Sequence, residues 1–323
     1  MRNAGFRDVG AQPSHCTVQP HSRECLQVYK DASQSRIKLL RSCGLQPPAY
    51  QPGYVDTTGF GVTTGWTLLE HYRVQSHSSW VHRGPGPKGS DTHAFVHIEK
   101  VGSSTLRRYV TKWLNGTDHT HSAQHLRHVA FVRHPLDRFV SAAFEAVDGL
   151  NSPPEYLYRK DLDEAGFAPG LTLSKQQRLD VFADHFLAGR LNGSGLPGKI
   201  ATEHTIPQWR YINRYLDTQL QYVGHVDTML EELDGMMGTH VIEQGRKNHV
   251  RQRTRVNDSR TTVLRPSAVR GVCRAYLADV CCLDISFRTR CEAVGVFCNA
   301  LQMAGTESFA LLPFLAFRSS PPR

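Results

Sequence analysis

Residues 93–110, HAFVHIEKVGSSTLRRYV, restrict the fold more than any other stretch of this chain. Apolar positions lead to Ile98, a short loop of small residues follows, and a basic helical pattern begins at once. A strand ending in a Gly/Ser loop that opens a helix is an anion site, because free backbone N–H groups and the positive helix end converge there. Gly102 lets the backbone approach a ligand, Ser103, Ser104 and Thr105 add hydroxyl donors, and Lys100 supplies a mobile charge. A nucleotide-triphosphatase loop of the GxxxxGK[ST] type carries its lysine after the last glycine, whereas here the lysine leads.

A second such unit follows. HVAFVRHP reads as a buried strand stopped by Pro135, which opens the helix PLDRFVSAAFEAV with Phe139, Ala142, Ala143 and Val147 toward the core. Arg133 stands at the carboxyl end of that strand, where open α/β sheets bind ligands. Arg138 and Ser141 follow at helical spacing, and guanidinium plus hydroxyl suits a second phosphate. Further helices are expected over LSKQQRLDVFADHFLAGR, PQWRYINRYL, DTMLEELDGMM (with Asp227 as N-cap) and RPSAVRGVCRAYLADVCCL, and a third strand over QLQYVGHV. The alternation predicts an α/β fold, a mainly parallel sheet flanked by helices. Residues 1–90 read as an irregular stem or peripheral segment, 91–300 as the core domain, and 301–323 as a tail.

The net charge of +9 favours anionic partners. Eight cysteines, none in a CxxC pair, disfavour a zinc ribbon and suit disulfides in a secretory lumen. The vicinal Cys281 and Cys282 read as core and bridge residues rather than a redox pair. Sequons at Asn115, Asn192 and Asn257 point the same way, toward a glycoprotein. The N-terminus lacks the apolar core of a signal peptide, and SFALLPFLAF is about half the ~20 residues of a membrane span. The histidines at 121, 125 and 128 have ligand-like spacing but no acidic or cysteine companion, so no metal is expected.

At these residues the chain resembles the sulfotransferases that use 3'-phosphoadenosine 5'-phosphosulfate, particularly the Golgi-type carbohydrate sulfotransferases. Their K-x-G-[ST]-[ST] loop matches Lys100, Gly102, Ser103, Ser104 and Thr105, and their R-x-P-x-x-R-x-x-S element matches Arg133, Pro135, Arg138 and Ser141. HTIPQWRYI, LQYVGHVDTMLEEL and AYLADVCCL are similar to later blocks of that branch, so the likeness runs from about residue 93 to 285. It departs at Glu99, where proline is usual, and at His134, where Asp or Asn is common; the Glu99 side chain is expected to face away from the loop.

The resemblance implies a P-loop-like sulfotransferase fold and transfer of a sulfuryl group from that donor, as co-substrate, to a hydroxyl of a glycan or proteoglycan. It implies the 5'-phosphosulfate on the lysine-led loop, the 3'-phosphate on Arg133, Arg138 and Ser141, and a Golgi or secretory location; no nucleic-acid partner is expected, and no membrane anchor is visible in the residues of this chain. Lys100 would stabilise the departing phosphate, with His204 the first choice for the base and Glu145 the second. Two other readings stay open: an ATP-dependent small-molecule kinase, and a non-catalytic binder of polyanions.

Overall fold

The computed structural model describes residues 22–45, 79–83, 92–113, 117–119, 127–148, 174–188, 204–213, 215–216, 220–237 and 263–299. In chain order the first elements are α1 (Arg23–Ser42), β1 (Ser79–Arg83), β2 (Thr92–Phe95), α2 (Ser103–Trp113), β3 (Thr117–His119) and β4 (Arg127–Val132). There follow α3 (Pro135–Asp148), α4 (Lys175–Leu187), α5 (Gln208–Asn213), β5 (Leu220–His225) and α6 (Met229–Met237). The chain then closes with α7 (Pro266–Ala275), α8 (Leu277–Cys282) and α9 (Arg288–Glu292). The sequons, His121, His125, the basic segment before residue 263 and the tail from 301 lie outside the described residues.

The sheet order is β3-β1-β2-β4-β5. Strands β2, β4 and β5 run parallel, with Phe95 opposite Val129 and Phe131 opposite Gly224. β1 joins β2 antiparallel and β3 joins β1 antiparallel. Five of the six residues of β4 are buried, as a parallel strand covered on both faces requires. Successive side chains alternate between two cores. Phe95, Val129 and Phe131 pack with Leu106, Tyr109 and Val110 of α2 and with Met229 and Leu233 of α6. Val96, Ala130 and Val132 pack on the other side, with α3, α4, α5, α7 and α8. Gly224 marks a place where the layers meet: a Cβ there would run into the Phe131 ring and the Glu232 carboxylate.

The three expected strands and the helices α2 to α6 are present, and α4 starts with a capping box between Ser174 and Gln177. Three features differ from the sequence reading. The stretch taken as an irregular stem holds α1, capped by Ser22 and burying Cys25, Tyr29, Ser33, Ile37 and Leu40. This helix seals the outer edge of β5, where unpaired strand groups would otherwise stay exposed. Val223 N–H donates to Ser33 Oγ at 2.8 Å, and Arg36 Nη1 donates to the Val223 carbonyl at 3.0 Å.

The expected final helix is broken at Tyr276 (φ −106°, ψ 29°), whose hydroxyl donates to the Thr205 carbonyl at 2.6 Å. The Asp227 cap is replaced by a short 3₁₀ turn, Val226–Thr228, in which Asp227 N–H donates to His225 Nδ1.

Disulfides join Cys43 to Cys282, Cys273 to Cys291 and Cys281 to Cys298. The vicinal cysteines on α8 therefore serve as two separate bridges, one of them tying the end of α1 to α8. Bridges of this kind fit a secretory, non-cytosolic protein. No described helix is long and apolar enough to cross a membrane.

Candidate functional site

The site forms where β2 and β4 end side by side. After Phe95 the chain keeps one more ladder bond, Val96 N–H to Val129 O at 2.8 Å, and then turns through Glu99 and Lys100. Lys100 has φ +64° and Gly102 φ +81°; among the described residues Lys100 is the one non-glycine with positive φ. A left-handed lysine costs on the order of 1 kcal/mol and persists only where its surroundings hold it.

Here Ile98 and Val101 are buried on either side of it. Arg138 Nε donates to the Glu99 carbonyl at 2.8 Å and Arg133 Nη1 to the Lys100 carbonyl at 3.3 Å. Gly102 is required twice over: its φ is left-handed, and a Cβ would sit 3.0 Å from Met229 Cε and 3.2 Å from Val226 Cγ2. α2 then begins at Ser103, so the first-turn N–H groups of Ser103, Ser104 and Thr105 stand at the loop with their hydroxyls beside them.

Arg133 is fixed by its main chain. Its N–H donates to Gln208 Oε1 at 2.9 Å, and Gln208 Nε2 donates to its carbonyl at 2.8 Å. Gln208 is held in turn by Asp279 of α8, whose carboxylate accepts from the N–H groups of Gln208 and Trp209, both at 2.8 Å. His134 starts α3: Nδ1 accepts from Leu136 N–H at 3.2 Å, which leaves Nε2 to donate to the Phe287 carbonyl, also at 3.2 Å. Burial, and then the Arg290 charge, lowers its pKa to about 4. Arg138, only 1 % exposed, braces the loop from beneath, and its Nη2 is buried without a hydrogen-bond partner. Ser141 is half-buried on the same helix.

The titratable side chains converge on the loop. Lys100 Nζ lies 2.8 Å from Glu145 Oε2, a half-exposed carboxylate on α3. Glu99 Oε1 is 3.4 Å from His97 Nε2, and Glu99 Oε2 is 3.7 Å from His204 Nε2. His204 Nδ1 is buried with no hydrogen-bond partner. Burial, followed by the Lys100 charge, lowers the His204 pKa to about 4, against the opposing pull of Glu99 and Glu145. Burial alone would raise the Glu99 pKa, but the His97 hydrogen bond and the charges of His97, His204 and Lys100 outweigh it and bring it to about 2.

Lys100, Arg133, Arg138, Glu145 and His204 therefore come together around the loop of Gly102, Ser103, Ser104 and Thr105. The Glu99 side chain, expected to face away from the loop, lies between His97 and His204. Glu99, His97, Gln208 and Asp279 are parts of the site that the sequence reading did not assign. His97 and Glu99 carried a signal, as titratable residues flanking the loop lysine. His128 stacks on Tyr215 at 3.9 Å, and no metal-binding group occurs among the described residues. No protein family, curated protein or solved structure matches the chain.

Proposed function

We propose that this protein transfers a sulfuryl group from 3'-phosphoadenosine 5'-phosphosulfate to a hydroxyl of a glycan, on a P-loop-like sulfotransferase fold and in the Golgi lumen. The observation that carries the reading is the pair of adjacent strand ends joined by Arg133 donating to the Lys100 carbonyl. One end offers a glycine loop with a helix start and the other an arginine, and the donor carries phosphate groups on both sides of its ribose. Backbone N–H groups and the hydroxyls of Ser103, Ser104 and Thr105 would take the 5'-phosphosulfate; Arg133 would take the 3'-phosphate, with Ser141 and the buried, unpaired Nη2 of Arg138 beside it. Lys100 would exchange its Glu145 partner for the bridging oxygen and neutralise the charge that develops there. His204, neutral at pH 7, would accept the hydroxyl proton.

The test is thermal stabilisation by 3'-phosphoadenosine 5'-phosphate, set against ATP with magnesium, in wild type and Arg133→Ala. At 100 times its dissociation constant a ligand adds about 2.7 kcal/mol. Selective stabilisation by the bisphosphate, lost in Arg133→Ala, is the expected result. Stabilisation by ATP instead, or by neither nucleotide, overturns the reading.

A further inference from the structure

We infer that Glu99 is a positioning residue for His204, holding its ring so that Nε2 carries the proton and Nδ1 is left as the base for the acceptor hydroxyl. The inference rests on the transferase reading above and goes beyond it, since the family that the chain resembles usually has proline at this position. Glu99 lies one residue before the left-handed Lys100, and its carbonyl is pinned by Arg138, so its main chain is fixed at the loop. Each oxygen meets one imidazole: Oε1 faces His97 and Oε2 faces His204.

A carboxylate opposite Nε2 favours the tautomer with hydrogen on that nitrogen. The lone pair then resides on Nδ1, which is buried without a hydrogen-bond donor, a state that costs free energy until a donor arrives. A hydroxyl is such a donor. In the transfer its proton passes to Nδ1 as its oxygen bonds to sulfur. The bond from sulfur to the bridging oxygen breaks, and that electron pair leaves on the 5'-phosphate beside Lys100. The imidazolium left behind faces the Glu99 carboxylate, which balances it.

Groups from two elements face His204 and set its titration. The loop after β2 presents Glu99 and Lys100; α3 presents Glu145 and Arg138. Glu99 and Glu145 support the imidazolium, while Lys100 and Arg138 oppose it. Replacing Glu99 by glutamine removes support and moves the titration to lower pH.

The experiment is nitrogen NMR of protein labelled in its histidines, with the His204 signals assigned through His204→Gln. Wild type and Glu99→Gln are titrated with 3'-phosphoadenosine 5'-phosphate bound, and the same samples are assayed for sulfate transfer from the labelled donor to desulfated chondroitin and heparin. Three results are expected: an Nε2-protonated His204 in wild type, a mixed tautomer with a lower titration point in Glu99→Gln, and a kcat about 100-fold lower with the donor KM unchanged. The double variant should lose no more than His204→Gln alone, because Glu99 acts through His204.

Bisphosphate binding in wild type with an unchanged tautomer and titration in Glu99→Gln overturns the positioning role alone. Absence of bisphosphate binding in wild type overturns the transferase reading, and the role in transfer with it. Should Glu99→Gln not fold, the wild-type tautomer decides, a proton on Nδ1 overturning the inference.

Discussion

α8 and the loop after β2 stand at the two ends of one chain of hydrogen bonds, and they are built on opposite terms. In α8 all six residues are buried, Cys281 and Cys282 are each tied to a distant cysteine, and the Asp279 carboxylate takes main-chain donors on both oxygens. In the loop, Lys100 is left-handed, and the site around it holds Arg138 Nη2 and His204 Nδ1 buried without partners. Between them Gln208 grips Arg133 by both main-chain groups. Of these two elements, the loop carries the left-handed residue and lies beside unmet polar atoms that a ligand would relieve, while α8 is satisfied and covalently braced. Strained sites persist only when their surroundings over-determine them.

The sharpest way to break this contrast is to remove its anchor. Asp279→Ala leaves two buried N–H groups of α5 without an acceptor and frees Gln208 from its hold. We expect a loss of about 4 kcal/mol, read as a fall in Tm of roughly 10 °C. Glu145→Ala, which deletes a half-exposed carboxylate at the other end of the path, should cost less than about 1 kcal/mol. Equal losses in the two variants would abolish the contrast.

A smaller effect comes from pH. The pKa values of His134 and His204 are both lowered from 6.5 to about 4, so the folded chain binds fewer protons than the unfolded chain between those values. Their contribution is complete above pH 6.5 and is lost as pH falls toward 4, by on the order of 2 kcal/mol for each histidine. Denaturant melts at pH 7.5 and 4.5 measure this loss. His134→Asn, which keeps a cap acceptor for α3 but does not titrate, should remove about half of it. An unchanged pH dependence in that variant would place the acid sensitivity elsewhere.

How far the sequence could be read follows the same division. β2, β4 and β5 were legible as short apolar runs bounded by Gly, Pro and His, and α2 and α3 by their apolar spacing, because burial on a sheet leaves a periodic trace. α1 was not, although Cys25, Tyr29, Ser33, Ile37 and Leu40 recur at helical spacing: one of the five is a serine, buried because it accepts from Val223 N–H across 190 residues. β1 and β3 span only five and three residues, too few to leave a pattern in the sequence. Nothing local marks the break at Tyr276, whose hydroxyl is claimed by the distant Thr205 carbonyl. The loop lysine, Gly102 and Arg133 could be found because they lie at strand ends. Glu99 could not be oriented, since its partner His204 lies more than a hundred residues away.

The smallest effect tests the loop itself. At φ +64° a lysine and an alanine are equally strained, while glycine is free to adopt that conformation. Lys100→Ala and Lys100→Gly both delete the ammonium group and its ion pair with Glu145, so both should lose stabilisation by the bisphosphate nucleotide. They differ only in backbone freedom. The glycine variant should be more stable than the alanine variant by about 1 kcal/mol, the reverse of the usual order of the two residues. Chemical denaturation of the pair at pH 7.5 resolves a difference of that size. If alanine proved the more stable, Lys100 would not be left-handed in solution, and the strain assigned to the loop would have no basis. If glycine is the more stable, the chain gives up stability at one residue and holds an ammonium group beside Glu145 in the loop after β2. That is the use of strain expected at a ligand site and not in a structural turn.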